Sequence, residues 1–157
     1  MPVKALLSLQ SPFLLAVCAL SVAILSAGCS SFQQGWKRAM ATPSPENDFS
    51  GSWEGSWLSE VNGHHGRLRC LVTRLDDVHY RARYKATYWK IFRFSYTVDM
   101  QVEQPSGGGF RFLGEADLGW WGGGVYHYEG HASPTNFFST YSSKYDHGKF
   151  QMKRPGV

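Results

Sequence analysis

From Phe49 to the end of the chain, hydrophobic and polar residues alternate in short runs. In the clearest run, one face carries Phe92, Phe94, Tyr96, Val98, Met100 and Val102. The residues between them are charged or polar. A period of two residues is typical of a β-strand with one buried face. Turn residues separate the runs and no helical period interrupts them, so the pattern predicts an all-β domain over residues 49–154.

Eight strands are predicted in this domain. Their bounds are Phe49–Leu58, Gly66–Leu75, Val78–Thr87, Phe92–Glu103, Phe110–Leu118, Val125–Ala132, Asn136–Ser143 and Lys149–Arg154. The connections are too short for parallel crossovers, so chain neighbours must pair antiparallel. Eight such strands leave two unpaired edges unless the sheet closes. We therefore expect a small antiparallel up-and-down β-barrel, with a sandwich or a half-open barrel as the alternative.

The start of the first strand carries a short motif, Gly51-Ser52-Trp53, which is repeated as Gly55-Ser56-Trp57. It resembles the G-x-W signature of lipocalins and avidins, and either copy can match. In those calycin barrels, a basic residue of the last strand stacks on the Trp and closes one end. The resemblance implies this role for Lys153 or Arg154. The polar biotin-site pattern of avidins is absent, so biotin binding is not implied.

The N-terminus has the layout of an export signal. Lys4 is followed by the uncharged, mostly apolar run Ala5–Gly28, which ends in small residues before Cys29. This order is typical of a secretory signal peptide. Ser26-Ala27-Gly28-Cys29 resembles the lipobox of bacterial lipoproteins, although Leu25 lies one residue earlier than the family's preferred Leu. The alternative is an uncleaved transmembrane anchor.

The lipobox resemblance implies a signal peptide over residues 1–28 and lipidation of Cys29. It also implies a cell-envelope protein held on the membrane by its N-terminal lipid. Ser30 favours the outer membrane over the inner one. Residues 29–48 are low in aliphatic side chains and are interpreted as a lipidated tether. The spacing of Phe32, Trp36 and Met40 leaves a short membrane-associated helix as the alternative.

Composition excludes two classes of protein. Aromatic residues make up 15% of the chain and charged residues only 18%. A disordered charged tail has few aromatics and a coiled coil is rich in charged residues, so neither class fits. Three cysteines cannot form a disulfide framework, and Cys70 shares a predicted face with Leu68 and Val72. We expect a buried thiol there.

Positive charge is concentrated between Arg67 and Arg93, where eight residues are basic and two are acidic. Arg81, Arg83 and Lys85 alternate with Tyr80, Ala82 and Tyr84, which predicts a basic panel on the outside of the barrel. Outside the cytoplasm, nucleic acid is not an expected partner. The panel is instead expected to bind anionic lipid or an acidic envelope polymer. A solvated outer face is the alternative.

One strand offers metal-ligand chemistry. His127, Glu129 and His131 project from one face, and two imidazoles with a carboxylate suit zinc. Three ligands in a line need a bent strand or a fourth ligand, so a solvent-facing polar row is favoured. His64-His65 and Asp146-His147 are interpreted as turn residues. We expect no enzyme and no cofactor.

Aromatic residues suggest a ligand site at one end of the barrel. Trp120 and Trp121 lie in a glycine-rich loop, and the predicted inward rows add Tyr80, Tyr84, Tyr126 and Tyr128. The first hypothesis is an envelope lipoprotein whose barrel binds a hydrophobic or aromatic ligand or an envelope partner. An eight-stranded barrel is only just wide enough to be filled by side chains. A structural or interaction module with a filled core is therefore the second hypothesis, and a metal-dependent enzyme is the third.

Overall fold

The computed structural model describes residues 31–42, 48–89 and 91–156. Its strands are Gly51–Ser59 (β1), His65–Arg74 (β2), His79–Tyr88 (β3), Phe92–Glu103 (β4), Phe110–Asp117 (β5), Val125–Ala132 (β6), Asn136–Ser142 (β7) and His147–Lys153 (β8). Each bound lies within two residues of the predicted one. The predicted signal peptide, residues 1–28, and Cys29 lie outside the described residues.

The eight strands form one closed antiparallel barrel in chain order. Each strand pairs with its chain neighbours, and β1 pairs with β8 from Glu54↔Lys153 to Ser59↔Gly148. The predicted up-and-down barrel is confirmed, and the sandwich and half-open alternatives are excluded. Closure pairs the backbone N–H and C=O groups of the two edge strands with each other, so no second sheet is needed to cover them.

The two ends of the barrel differ. Successive strands run in opposite directions, so the loops after β1, β3, β5 and β7 lie at one end, here called the mouth. The other end, the base, holds the loops after β2, β4 and β6 together with the start of β1 and the end of β8. A single 3-10 turn, Trp120–Gly122, lies in the loop after β5.

Aromatic side chains fill the base. The ring of the fully buried Phe49 has five aromatic neighbours with centroids 5.3–6.1 Å away. These neighbours are Trp53, Tyr80, Phe110, Phe112 and Phe137. Such rings bury large apolar areas and pack at the distances that aromatic pairs prefer. This half of the barrel therefore has a filled core.

Arg154 closes the base over Trp53. Its guanidinium carbon lies 3.8 Å from the centroid of the Trp53 ring. The guanidinium donates hydrogen bonds to the carbonyl oxygens of Asp48, Ser50 and Pro134, and more weakly to that of Ser52. Of the two basic residues and the two G-x-W copies, the structure therefore pairs Arg154 with Gly51-Ser52-Trp53. This is the arrangement that the resemblance to calycin barrels implies.

The predicted inward aromatic rows are confirmed in part. Trp53, Tyr80, Tyr84 and Tyr128 are buried, whereas Trp57, Tyr96 and Tyr126 are half-buried at the mouth side of the core. Phe92 and Phe94 have the predicted inward parity, but they are exposed to solvent rather than buried. They lie on the first half of β4, where pairing with β5 has not yet begun. Cys70 is buried as predicted.

The segment interpreted as a tether is helical over residues 31–41, as in the alternative, whose association with a membrane stays a prediction. From Gly35 onward the helix belongs to the same compact unit as the barrel. Trp36 is buried with the Arg69 guanidinium 5.0 Å from its ring, and the Ser52 hydroxyl lies 3.5 Å from Met40 Sδ. Leu71 points outward from β2 yet is only 5% exposed. Within the described residues, no helix is long and apolar enough to cross a bilayer.

Candidate functional site

A cavity of about 430 Å³ opens at the mouth of the barrel. Its lining comes from six of the eight strands and from the loops after β5 and β7. The lining residues are Trp57, Ala86, Phe94, Ser95, Tyr96, Leu118, Gly122, Tyr126, Tyr128, Tyr141, Asp146 and Phe150. Seven of these side chains are aromatic, so the wall of the cavity is mainly apolar.

The cavity exists because β4 is longer than β5. β4 has 12 residues and β5 has 8, and their pairing is confined to Asp99–Glu103 of β4. Among the described strands, the mouth half of β4 therefore has a neighbour on one side only, β3. The loop after β5 faces this half of β4, and Ser95, Leu118 and Gly122 line the cavity there. We call this interruption of the β4–β5 pairing beside the cavity the slot.

Glycines fix the loop that borders the slot. Gly119, Gly123 and Gly124 have φ values of 68°, 94° and 80°, a region that favours glycine. The amide of Gly124 donates to the Gly119 carbonyl, and the amide of Leu118 donates to the Gly124 carbonyl. At Gly123, an added Cβ would lie 2.9 Å from the Tyr126 hydroxyl oxygen. Glycine therefore lets this loop curl back and allows Tyr126 to approach it.

Stacked rings form the floor of the cavity. Tyr84 lies with its ring centroid 5.1 Å from that of Tyr96 and 5.4 Å from that of Phe150. Tyr128 stacks on Tyr84 at 6.3 Å and also lies 6.0 Å from Phe150. β3, β4, β6 and β8 supply these four rings, so closure of the barrel is what brings them together.

Tyr96, Tyr128 and Tyr141 are uncharged at neutral pH. Burial is the main cause that raises the pKa of Tyr96, Tyr128 and Tyr141 above the ordinary value. Tyr96 and Tyr128 are hydrogen-bonded to each other. The Tyr141 hydroxyl donates to one carboxylate oxygen of Asp146 at 3.3 Å, and the Ser59 hydroxyl donates to the other at 2.6 Å. The one carboxylate in the cavity lining is thus held by neutral donors.

Below the floor lies an unusual buried hydroxyl. Within the described part of the chain, the Tyr84 hydroxyl has no hydrogen-bonded nitrogen or oxygen. It faces the thiol of Cys70, which is its partner across the β2–β3 pair. Burial raises the pKa of both groups, so both are protonated at neutral pH. At neutral pH the Cys70 thiol therefore lacks the ionised form that a nucleophile needs.

The six residues predicted as ligand contacts separate in the structure. Tyr126 and Tyr128 line the cavity, and Tyr84 lies in its floor. Trp120 and Trp121 are exposed and stack on each other at 4.1 Å, outside the lining. Tyr80 is at the base, beside Phe49.

Several lining residues were missed by the sequence reasoning. Tyr141 and Phe150 share the inward parity of their strands, which is a signal the sequence contains. Leu118 and Asp146 lie in loops, and no strand pattern indicates that they reach the cavity.

The predicted metal-ligand row is not assembled into a site. Among the described residues, no group of three or more His, Cys, Asp or Glu is placed to hold a metal ion. His127 Nδ1 lies 3.2 Å from the carboxylate of Glu115 on the neighbouring strand, and His131 packs on the ring of Phe138. Glu129 is exposed and lies opposite Thr140. The straight strand keeps the three side chains apart along the outer wall.

The predicted basic panel lies on the outer face of β3 but is partly covered. Arg81 makes two hydrogen bonds to Asp99 on β4, at 2.7 and 3.1 Å. Arg83 and Lys85 are half-buried, and a Cβ added at Gly35 would lie 2.9 Å from Arg83 Nη2. The helix before the barrel therefore approaches Arg83. The panel is not one open cationic surface.

No protein-family model, no curated protein and no solved structure matches the chain. The structural likeness to calycin barrels therefore rests on the closed eight-stranded barrel and on the stacking of Arg154 over Trp53.

Proposed function

We propose that this protein is a membrane-anchored envelope lipoprotein whose barrel binds a small aromatic or hydrophobic ligand in the mouth cavity. The observation that carries the proposal is a cavity of about 430 Å³, walled by aromatic rings, in a barrel whose other half is filled. Small-molecule sites are concave, mostly apolar and typically about 300–1,000 Å³ in volume. The proposal that the whole core is filled accounts for the base but not for the mouth.

The lining favours a neutral ligand with a flat apolar body. Tyr96, Tyr126 and Tyr128 offer ring faces for stacking and hydroxyls for a small number of hydrogen bonds. Asp146 adds a carboxylate at the edge of the cavity. A negatively charged group placed beside Asp146 would meet like charge in a poorly hydrated site, so an anionic ligand is disfavoured.

The membrane part of the proposal comes from the sequence. A basic start, the apolar run Ala5–Gly28 and the small residues before Cys29 support a cleaved signal peptide and a lipidated Cys29. Two or more acyl chains give stable anchoring. The lipid would hold the barrel in the cell envelope, with Ser30 favouring the outer membrane. A role of Arg81, Arg83 and Lys85 in binding an anionic surface has less support, because Arg81 is bound to Asp99.

The ligand proposal is tested by titrating the protein with N-phenyl-1-naphthylamine, a neutral aromatic dye that fluoresces when it leaves water. Leu118→Trp places a larger side chain in the cavity lining. The matched control is Leu113→Trp, the same substitution at an exposed leucine on the outer wall of β5. We expect Leu118→Trp to weaken dye binding by about tenfold or more, which corresponds to about 1.4 kcal/mol.

The control should bind the dye like the parent protein. Equal affinity of both variants and the parent would place the dye outside the cavity. An absence of saturable binding by the parent would contradict the proposed ligand class.

A further inference from the structure

Exposed apolar side chains are concentrated at the mouth. All four mouth loops contribute, and the side chains are between 53% and 86% exposed. We call this set the apolar crown, and it consists of Val61, Trp89, Ile91, Trp120, Trp121 and Tyr145. Large exposed apolar side chains grouped at one end of a protein point to an interaction site.

The composition and position of the crown indicate a lipid interface. Four of its six members are Trp or Tyr, the residues that are enriched where membrane meets water. They lie in the loops at one end of the barrel, and Trp89 also lines a cavity beside His64 and Arg67. Trp120 and Trp121 sit on the 3-10 turn of the loop after β5, and nothing among the described residues covers them.

The free charges behind the crown are positive. Arg93 is paired with Thr87 across β3 and β4. Leu68 is paired with Ala86 across β2 and β3, and Arg67 is the next residue of β2 toward the mouth. Both arginines are therefore on the outer wall just behind the β3–β4 loop. Both are exposed, and neither forms an ion pair with any other described residue.

The acidic side chains of the mouth are outnumbered by the basic ones. Glu60 forms an ion pair with Lys149 at 3.0 Å, which cancels both charges. Asp117 and Asp146 accept hydrogen bonds only from neutral donors and keep their negative charge. Against these two carboxylates stand Arg67, Arg93 and Lys144. The described mouth residues therefore carry an excess of positive charge, which complements anionic lipid head groups.

We infer that the mouth of the barrel docks on the surface of an anionic lipid bilayer, with the apolar crown inserted below the head groups. Ile91 lies two residues beyond Arg93, so its tip reaches about 7 Å past the arginine along the strand direction. Interfacial segments insert about 5–10 Å into the head-group and acyl boundary. Arg67 and Arg93 then lie at the level of the phosphates. If the proposed function holds, the slot beside the cavity opens toward the lipid phase.

The test uses the full chain reconstituted into vesicles whose acyl chains carry bromine, which quenches tryptophan fluorescence at the acyl boundary. Val61→Asp with Ile91→Asp disrupts the crown but keeps all six tryptophans. The matched control is Leu75→Asp with Val78→Asp, two half-exposed apolar residues in the loop after β2, at the base. Because three of the six tryptophans belong to the crown, we expect the parent and the control to lose about half of their emission.

The crown variant should lose this quenching. Any quenching that comes from the N-terminal segment should be equal in the parent, the crown variant and the control. Quenching should also be stronger in phosphatidylglycerol than in phosphatidylcholine vesicles. Arg67→Gln with Arg93→Gln should make quenching equal in the two kinds of vesicle. This double variant tests the inference if the crown variant does not fold.

Three results would overturn the inference. The parent could show no quenching beyond that of the crown variant. The control could lose as much quenching as the crown variant. Finally, the parent could show no quenching and could self-associate in sedimentation, with only the crown variant losing that self-association. The partner of the crown would then be a second copy of the chain.

Discussion

Trp53 and Arg154 hold the base of the barrel together as a stacked pair. Trp53 is fully buried, and its indole N–H donates to the carbonyl of Phe49 at 3.2 Å. Burial lowers the pKa of Arg154 to about 10, so the guanidinium is still protonated at neutral pH. Its planar fork binds carbonyls from the segment before β1 and from the loop after β6. A lysine could not make these bonds and the stack together.

Trp53→Ala should destabilise the barrel strongly. The substitution removes a buried ring that packs on Phe49, Phe137 and Arg154, and such losses typically cost about 3–5 kcal/mol. Denaturant unfolding followed by circular dichroism gives the free energy of unfolding. Trp89→Ala, at an exposed tryptophan, is the matched control and should change it by less than about 0.5 kcal/mol. Equal effects of the two substitutions would refute the role of Trp53 as a core anchor.

The sequence predicts the G-x-W motif, but it does not show which of the two copies, at Trp53 or at Trp57, meets the basic residue of the last strand. Trp53 and Trp57 have the same strand parity, so both point inward, and the alternation cannot distinguish them. The two tryptophans differ in their position along the barrel axis. This position depends on the β1–β8 register, which pairs Glu54 with Lys153. This register is set only when the sheet closes, by contacts between residues about a hundred positions apart.

Among the strands, β3, β4, β6 and β7 each carry a buried phenol toward the cavity. Burial raises the pKa of Tyr84, Tyr96, Tyr128 and Tyr141 above the ordinary value of 10. Above pH 10, the unfolded chain gains phenolate charges that the folded barrel does not. The free energy of unfolding must therefore fall as the pH rises from 10 toward the folded pKa values.

An alkaline titration checks this coupling. We expect the near-ultraviolet phenolate absorbance of these four tyrosines to appear together with the loss of strand circular dichroism, above pH 10. Tyr128→Phe should reduce the amplitude of that joint step by one phenol. Ionisation of the four phenols near pH 10 in a barrel that keeps its circular dichroism would contradict the buried environment of the cavity floor.

From Gly35 onward, the helix before the barrel packs outside β2. Trp36→Ala should release it, because the substitution removes the buried ring beside Arg69 that packs on the barrel wall. Hydrogen exchange of residues 35–41 should accelerate while the barrel strands keep their protection. Lys37→Ala, at an exposed position on the same helix, is the control and should change neither. Unchanged exchange of the helix in Trp36→Ala would show that Trp36 does not anchor it.

Strand number and strand bounds follow from the alternation, whereas the slot and the helix contact do not. Parity predicted Phe92 and Phe94 to be inside, but the extra length of β4 over β5 leaves them uncovered. Leu71 is outward by parity, and only the packing of the helix explains its burial. Both features depend on how elements of unequal length meet, which a local period of two residues does not encode.

The barrel as a whole combines a filled base with an open mouth. Aromatic packing and Arg154 stabilise the base, and the cavity, the slot and the apolar crown all lie at the other end. The residues that stabilise the fold and the proposed binding sites thus lie at opposite ends of the barrel. Substitutions in the mouth loops should change binding with little effect on the free energy of unfolding.

Attachment of the N-terminus to the membrane is tested separately from the barrel. In a bacterium that processes lipoproteins, Cys29→Ser should abolish incorporation of radiolabelled palmitate, because the thiol that accepts the lipid is lost. Cys18→Ser, within the apolar run, is the matched control and should leave labelling unchanged. Undiminished labelling of Cys29→Ser would contradict lipidation at this residue and leave the uncleaved anchor as the explanation of the apolar run.

The central claim is that the mouth cavity of the barrel is a ligand site. The most direct measurement is a two-dimensional amide NMR titration with N-phenyl-1-naphthylamine. We predict saturable shifts at Tyr96, Gly122 and Tyr126, which line the cavity, and none at Phe112 and Phe137, which fill the base. Shifts confined to the outer wall, or no saturable shifts at the cavity residues, would contradict the claim.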